Sequence, residues 1–188
     1  VAKKKPKKGQ KGYRAPPGIV SKLNGLLRGV KFGLPAIGSV QAHGISGRTP
    51  ANVIWRYSGF NVEDMSFDTE AAKTAAGFYA GNVIESKVMN AVKVPQMAGK
   101  KKLLSVVANF LPEIQAVPHA IAGDFTRAAN TYGQTSIGYN PSDNTGFITS
   151  PSTRDRWLQS MAARVGLGLI SRFAGPMINK HLPKGVNI

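Results

Sequence analysis

Lys3, Lys4, Lys5, Lys7, Lys8, Lys11 and Arg14 place seven cations in the first fourteen residues, VAKKKPKKGQKGYR, with no acidic residue among them. Their chemistry is charge neutralisation. Ammonium and guanidinium groups this close repel one another and gain nothing from folding together. They match a polyanion such as nucleic acid, whose duplex carries one negative charge per ~1.7 Å of axis and releases counterions when cations replace them. Contacts of this kind position a phosphate backbone without reading sequence. Tyr13, beside Arg14, adds an aromatic face that either stacks on a base or sugar or anchors the arm on a hydrophobic neighbour. The imbalance continues past the arm, since the first acidic residue is Glu63 and twelve Lys or Arg precede it.

Three further basic groups are candidates for the same partner. Lys22, Arg28 and Lys31 fall largely away from the apolar stripe Ile19, Leu23, Leu26, Leu27 and Val30, which predicts a short basic amphipathic helix over 19–34. Lys100, Lys101 and Lys102 open a predicted helix over about 100–110, where positive charge opposes the dipole and gains from an external anion. Arg154, Arg156, Arg164 and Arg172, at spacings of two and eight, are expected to form a helical stripe along a backbone groove. Trp55-Arg56-Tyr57 with Phe60 is the other aromatic and basic cluster; stacking on single strands uses such a set, but packing into a core is the favoured reading.

Other chemistries find little support. There is no Cys, which removes disulfides, thiolate zinc sites and thiol catalysis. His43, His119 and His181 have no metal-ligand spacing and read as surface, caps or groove lining. Gly99-Lys100 lacks the rest of a phosphate loop, and Gly166-Leu167-Gly168 lacks the rest of a dinucleotide fingerprint. Glu63, Asp64, Asp68 and Glu70 cluster but match no calcium-loop pattern; helix capping and pairing with basic residues explain them better. No catalytic residue, metal, cofactor or small-molecule substrate is expected.

The elements that must carry these residues read as mainly α. An extended Lys/Gly/Pro arm over 1–18 precedes a single helical domain over 19–188, with four to five helices and little or no β. The first helix is expected to stop at Pro35. Residues 36–67 are punctuated by glycine and proline, and Ala51 to Tyr57 is the best strand candidate, in a short hairpin or an irregular loop. Asp68 caps a long helix ending before Pro95, with Ala72, Ala76, Tyr79, Val83 and Ile84 on its apolar face. Small residues at Ala72, Ala76, Gly77, Ala80 and Gly81 admit a close neighbour. A further helix runs from Pro112 to about Asn130, a polar loop covers 131–151, and Ser152 with Asp155 starts the last helix, 153–173.

Charge by region separates two roles. Residues 1–62 carry a net +12, residues 63–124 a net −1 and residues 125–188 a net +5, which sum to the +16 of the chain. Both ends face an anion, and the near-neutral middle is the expected self-assembly surface. No secretory signal and no run of eighteen apolar residues is present. The pattern implies a non-enzymatic structural protein of a viral or virus-like nucleoprotein particle. It would neutralise DNA or RNA phosphates sequence-independently and self-associate through helix faces at 70–94 and 103–130. A ribosomal or other RNA-particle protein with a threading basic extension shares the charge argument. A membrane-active protein with basic amphipathic helices stands third.

Overall fold

A computed structural model describes residues 19–44, 49–92 and 103–182. Among these, seven α-helices and two short β-hairpins follow one another: α1 (Ile19–His43), α2 (Pro50–Ser58), β1 (Phe60–Asn61), β2 (Ser66–Phe67), α3 (Thr69–Ala91), α4 (Leu103–Ile121), α5 (Phe125–Ile137), β3 (Tyr139–Asn140), β4 (Thr145–Gly146), α6 (Pro151–Phe173) and α7 (Gly175–Ile178), with a closing 3-10 turn at Asn179–His181. The chain is mainly helical, as expected, with more and differently bounded helices than the four to five anticipated. It divides into two units between Phe32 and Gly33, and the first part of α1 is described by itself.

Several boundaries move, each for a local reason. The helix α1 does not stop at Pro35. Proline in a helix interior costs about 3 kcal/mol, but Leu34, Pro35, Gly38 and Ser39 are all buried and fix that turn from outside. Ala51 to Tyr57 is helical, not a strand. The Thr49 side chain accepts from the Asn52 N–H at 3.4 Å, Pro50 occupies the first turn, and Gly59 closes the helix at φ 78°. Capping outweighs the β preference of Val, Ile, Trp and Tyr.

Pro112 does not begin a helix; it lies fully buried inside α4, which also runs through Pro118. The break falls instead at Gly123, φ 80°, where Asp124 caps α5 by accepting from the Arg127 N–H at 2.8 Å. Likewise Ser150, not Ser152, caps α6. The Asp68 cap stands as expected, accepting from the N–H groups of Glu70 and Ala71 at 2.9 and 3.0 Å.

The buried face of α3 is Ala71, Thr74, Ala75, Phe78, Gly81, Glu85 and Met89. Tyr79, Val83 and Ile84, read from the sequence as part of one apolar face, are exposed. Small residues do admit neighbours on the inner side. A methyl at Gly81 would run into the Ile137 carbonyl, and one at Gly77 would press on the Ile148 side chain at 3.3 Å.

The segment 131–151 is not a polar surface loop. Its first third completes α5, and Tyr132 to Pro141 are buried without interruption. The β3–β4 hairpin pairs Tyr139 with Gly146 and Asn140 with Thr145. Its polar side chains satisfy one another there: the Tyr139 hydroxyl donates to Asn144 Oδ1 at 2.9 Å, and Asn140 Nδ2 donates to Asp143 Oδ2 at 2.6 Å. The Tyr139 ring meets Phe78 edge-on at 5.3 Å, and Phe147 stacks on Trp157 at 4.6 Å. The helices α4, α5 and α6 pack mutually, α3 lies on α5 and the β3–β4 hairpin, and α2 lies on α3.

Candidate nucleic-acid interface

The arm residues Lys3, Lys4, Lys5, Lys7, Lys8, Lys11, Tyr13 and Arg14, and the triplet Lys100, Lys101 and Lys102, lie outside the described residues. On the first part of α1, Lys22 and Arg28 are exposed, and so are Leu23, Leu26 and Val30, which the amphipathic reading had placed inward. Lys31 is buried, 8 % exposed.

The four arginines of α6 do not form a stripe. At about 100° per residue, Arg154 and Arg172 share one azimuth, Arg156 lies on nearly the opposite side, and Arg164 points elsewhere again. The inward face of α6 is Thr153, Trp157, Ser160, Met161, Arg164, Gly168 and Ser171. Arg164 therefore belongs to the core, 1 % exposed. Its Nη2 donates to Glu85 Oε1 of α3 at 2.7 Å, and its Nε donates to the Ala108 carbonyl of α4 at 3.1 Å. One guanidinium thus ties three helices together. Beside it, burial pushes the Tyr132 phenol well above its ordinary range, and the carboxylates of Glu113 and Glu85 push the same way.

Arg56 is also structural. It is 4 % exposed and donates from Nη1 to the Pro141 carbonyl at 2.6 Å, joining α2 to the β3–β4 turn. Its neighbour Tyr57 meets Phe78 edge-on at 6.0 Å. In the cluster Trp55-Arg56-Tyr57, which lies on a helix, Arg56 is thus buried while Trp55 and Tyr57 are half-buried.

Arg156 is the member of the quartet that lines a surface pocket with other polar groups. It is exposed at the rim of a pocket of about 390 Å³ between α4, α5 and α6, lined by Gln115, His119, Arg127, Thr131, Thr135, Arg156, Gln159 and Ser160. Its Nη1 donates to Gln134 Oε1 at 2.7 Å, which occupies one of the five N–H donors of the guanidinium. Arg127, in the first turn of α5, supplies a second cation to the lining.

Arg127 and His119 were not singled out as ligands from the sequence. The signal existed in the spacing: Gln115 and His119, Arg127, Thr131 and Thr135, then Arg156, Gln159 and Ser160 each fall at helical intervals of three or four. Three polar stripes on three mutually packed helices converge.

The acidic cluster resolves into local bonds. Asp64 accepts from the Ser66 hydroxyl at 2.6 Å, which holds its carboxyl below the usual range; Asp68 is a cap; Glu70 pairs with Lys73 at 2.6 Å. No group of three His, Asp or Glu residues suited to a metal ion occurs among the described residues, nor is any described helix long and apolar enough to cross a membrane. No family model, curated protein or solved structure matches this chain.

Proposed function

We propose that this chain is a structural protein of a viral or virus-like nucleoprotein particle, binding DNA or RNA phosphates without sequence preference and associating with further copies of itself. The observation that carries this reading is the charge distribution: twelve Lys or Arg before the first acidic residue, seven of them within fourteen positions, in a chain of net charge +16. A charge of this size destabilises a compact monomer through self-repulsion and is offset by a polyanion.

Exposed apolar side chains support the self-association part. Tyr79, Val83 and Ile84 project from α3, Ile114, Val117 and Ile121 from α4, and Leu169, Ile170, Phe173 and Met177 from α6 and α7. Where such side chains join into a contiguous apolar patch, the patch marks a contact site more often than it occurs on a solitary monomer. Binding of phosphates and burial of these faces, rather than catalysis, is the activity proposed.

The test is the salt dependence of binding to a labelled oligonucleotide by the full chain and by a chain lacking residues 1–14. Each phosphate neutralised contributes about 0.7 to 0.9 to the slope of log K against log salt. Deletion of seven cations is expected to flatten the slope by several units and leave helical content nearly unchanged. Equal slopes, or loss of the helical signal on deletion, would refute the division into arm and folded domain.

A further inference from the structure

We infer that the pocket between α4, α5 and α6 is a built site for a nucleoside phosphate, and that it holds one nucleotide unit of the bound strand. The inference rests on the nucleic-acid reading above for its polymeric ligand. The site itself is argued from its own geometry.

The chemistry of the lining selects an anion. Arg127 and Arg156 bring two guanidinium groups, His119 a ring nitrogen, and Gln115, Gln159, Thr131, Thr135 and Ser160 neutral polar groups; none of these residues is acidic or apolar. Two guanidinium forks suit the several oxygens of a phosphate, because each presents parallel N–H donors. The fold also prepares the groups in advance. Gln134, 7 % exposed, anchors Arg156 at 2.7 Å, and Thr135 spends its one hydroxyl proton on the Thr131 carbonyl at 2.7 Å, which leaves donation to the anion to the two guanidinium groups.

Ser160 is the independent sign of a ligand. It is 3 % exposed, it lines the pocket, and its hydroxyl has no hydrogen-bond partner in the structure. A buried hydroxyl without a partner costs about 1 to 3 kcal/mol; the Ser160 Oγ is sealed as it stands, and a turn about χ1 toward the lining would let it donate to a phosphate oxygen and remove that cost. The volume of about 390 Å³ exceeds what a phosphate alone requires and falls in the range that holds small organic ligands. The two glutamines, each with donor and acceptor, then face the sugar or base edge.

The experiment uses the full chain, a labelled oligothymidylate and a nucleoside 5′-monophosphate. Replacing both Arg127 and Arg156 by Ala is expected to weaken oligonucleotide binding about 100-fold, at roughly tenfold for each charged hydrogen bond. Replacing Arg154 and Arg172 removes equal charge from outside the pocket and is expected to cost distinctly less. Ser160→Ala is the decisive single change. It should lower affinity about threefold to tenfold while leaving the thermal midpoint unchanged or raised, since the hydroxyl satisfies nothing in the fold. Millimolar nucleoside monophosphate should raise the midpoint of the parent chain and not that of the double variant.

The inference is overturned if the two double variants lose affinity equally, or if Ser160→Ala binds like the parent. Oligonucleotide binding that persists in those cases leaves the nucleic-acid reading standing without the pocket. A parent chain that binds the monophosphate but no oligonucleotide would keep the pocket as a site for the unpolymerised ligand and reject the nucleic-acid reading.

Discussion

Arg156 and Arg164 stand eight residues apart on one helix, about 80° apart around its axis, and the fold uses them in opposite ways. Arg164 is sealed inside, bonded to Glu85 and the Ala108 carbonyl. Arg156 stands at the rim of a polar pocket, steadied by Gln134. The residue type is the same, but Arg164 meets a carboxylate and Arg156 a neutral amide. What differs is the azimuth relative to Trp157 and Met161, which sets whether the guanidinium replaces its water with protein partners or keeps it. An arginine on the inner face becomes part of the stability of the domain; one on the flank remains available for an external anion.

The contrast is broken most directly at Arg164. Arg164→Ala leaves the Glu85 carboxylate buried without its partner and is expected to cost about 3 to 5 kcal/mol in urea unfolding. Replacing the pair together, Arg164→Met with Glu85→Leu, should recover most of that loss, because a well-packed apolar pair of similar volume costs little. Failure of the double replacement to recover stability would show that the Ala108 bond, not the ion pair, is the main tie.

Alkaline titration probes the same core. Burial pushes the Tyr139 phenol up to about 12 and Tyr132 higher still. A folded pKa raised above the unfolded one means stability that is full below about pH 10 and falls as pH climbs through the folded value. The ultraviolet titration of the five tyrosines should therefore show Tyr132 and Tyr139 ionising only as the helical signal is lost. Smooth ionisation of all five before unfolding would contradict the buried core.

Close backbone approach supplies the next effect. Gly81→Ala drives a methyl into the Ile137 carbonyl where α3 meets α5, and is expected to destabilise by about 1 to 3 kcal/mol. Gly29→Ala, where a methyl meets nothing within 4 Å, should instead add helical content worth about 1 kcal/mol. At the pocket, Asp124→Ala removes the cap that starts α5 and should cost about 1 kcal/mol. Because Arg127 sits in that first turn, it should also weaken nucleotide binding modestly. Arg156→Ala closes the series, with a stability change within about 0.5 kcal/mol and a loss read in binding alone.

Much of the fold was legible where a cap or a charge pattern acted alone. Asp68 before a long alanine-rich run fixed the start of α3, and the dominance of helix followed from spacing. The proline positions misled, because Pro35 and Pro112 mark helix boundaries only when no tertiary packing holds the turn. At Leu34–Pro35 and Pro112 burial supplies that hold. The strand expected at Ala51 to Tyr57 failed for the converse reason, since Thr49, Pro50 and Gly59 are helix punctuation at both ends of a β-favouring run. The segment after Thr131 looked like a loop because it is polar and glycine-rich. Its polarity is instead internal, spent on hydrogen bonds within the β3–β4 hairpin and on close approaches at Gly133 and Gly138.

The candidate site was half legible. Charge alone marked Arg156, but its partners Arg127 and His119 come from two other helices, and a single sequence does not state which helices pack together. Arg164 could have been set apart, since Trp157, Met161, Arg164 and Gly168 fall at i, i+4, i+7 and i+11, an inward stripe with a cation in its middle. Read by charge, it joined the surface arginines; read by period, it belongs to the core.

We propose that this chain packages nucleic acid in many copies. The most direct measurement is purification of the protein from its native source, with the absorbance ratio at 260 and 280 nm and the nuclease sensitivity of whatever it forms. Packaging predicts a large uniform particle, rich in this chain, whose DNA or RNA is protected from nuclease. A particle free of nucleic acid would contradict it, and so would a single copy among many different proteins on structured RNA.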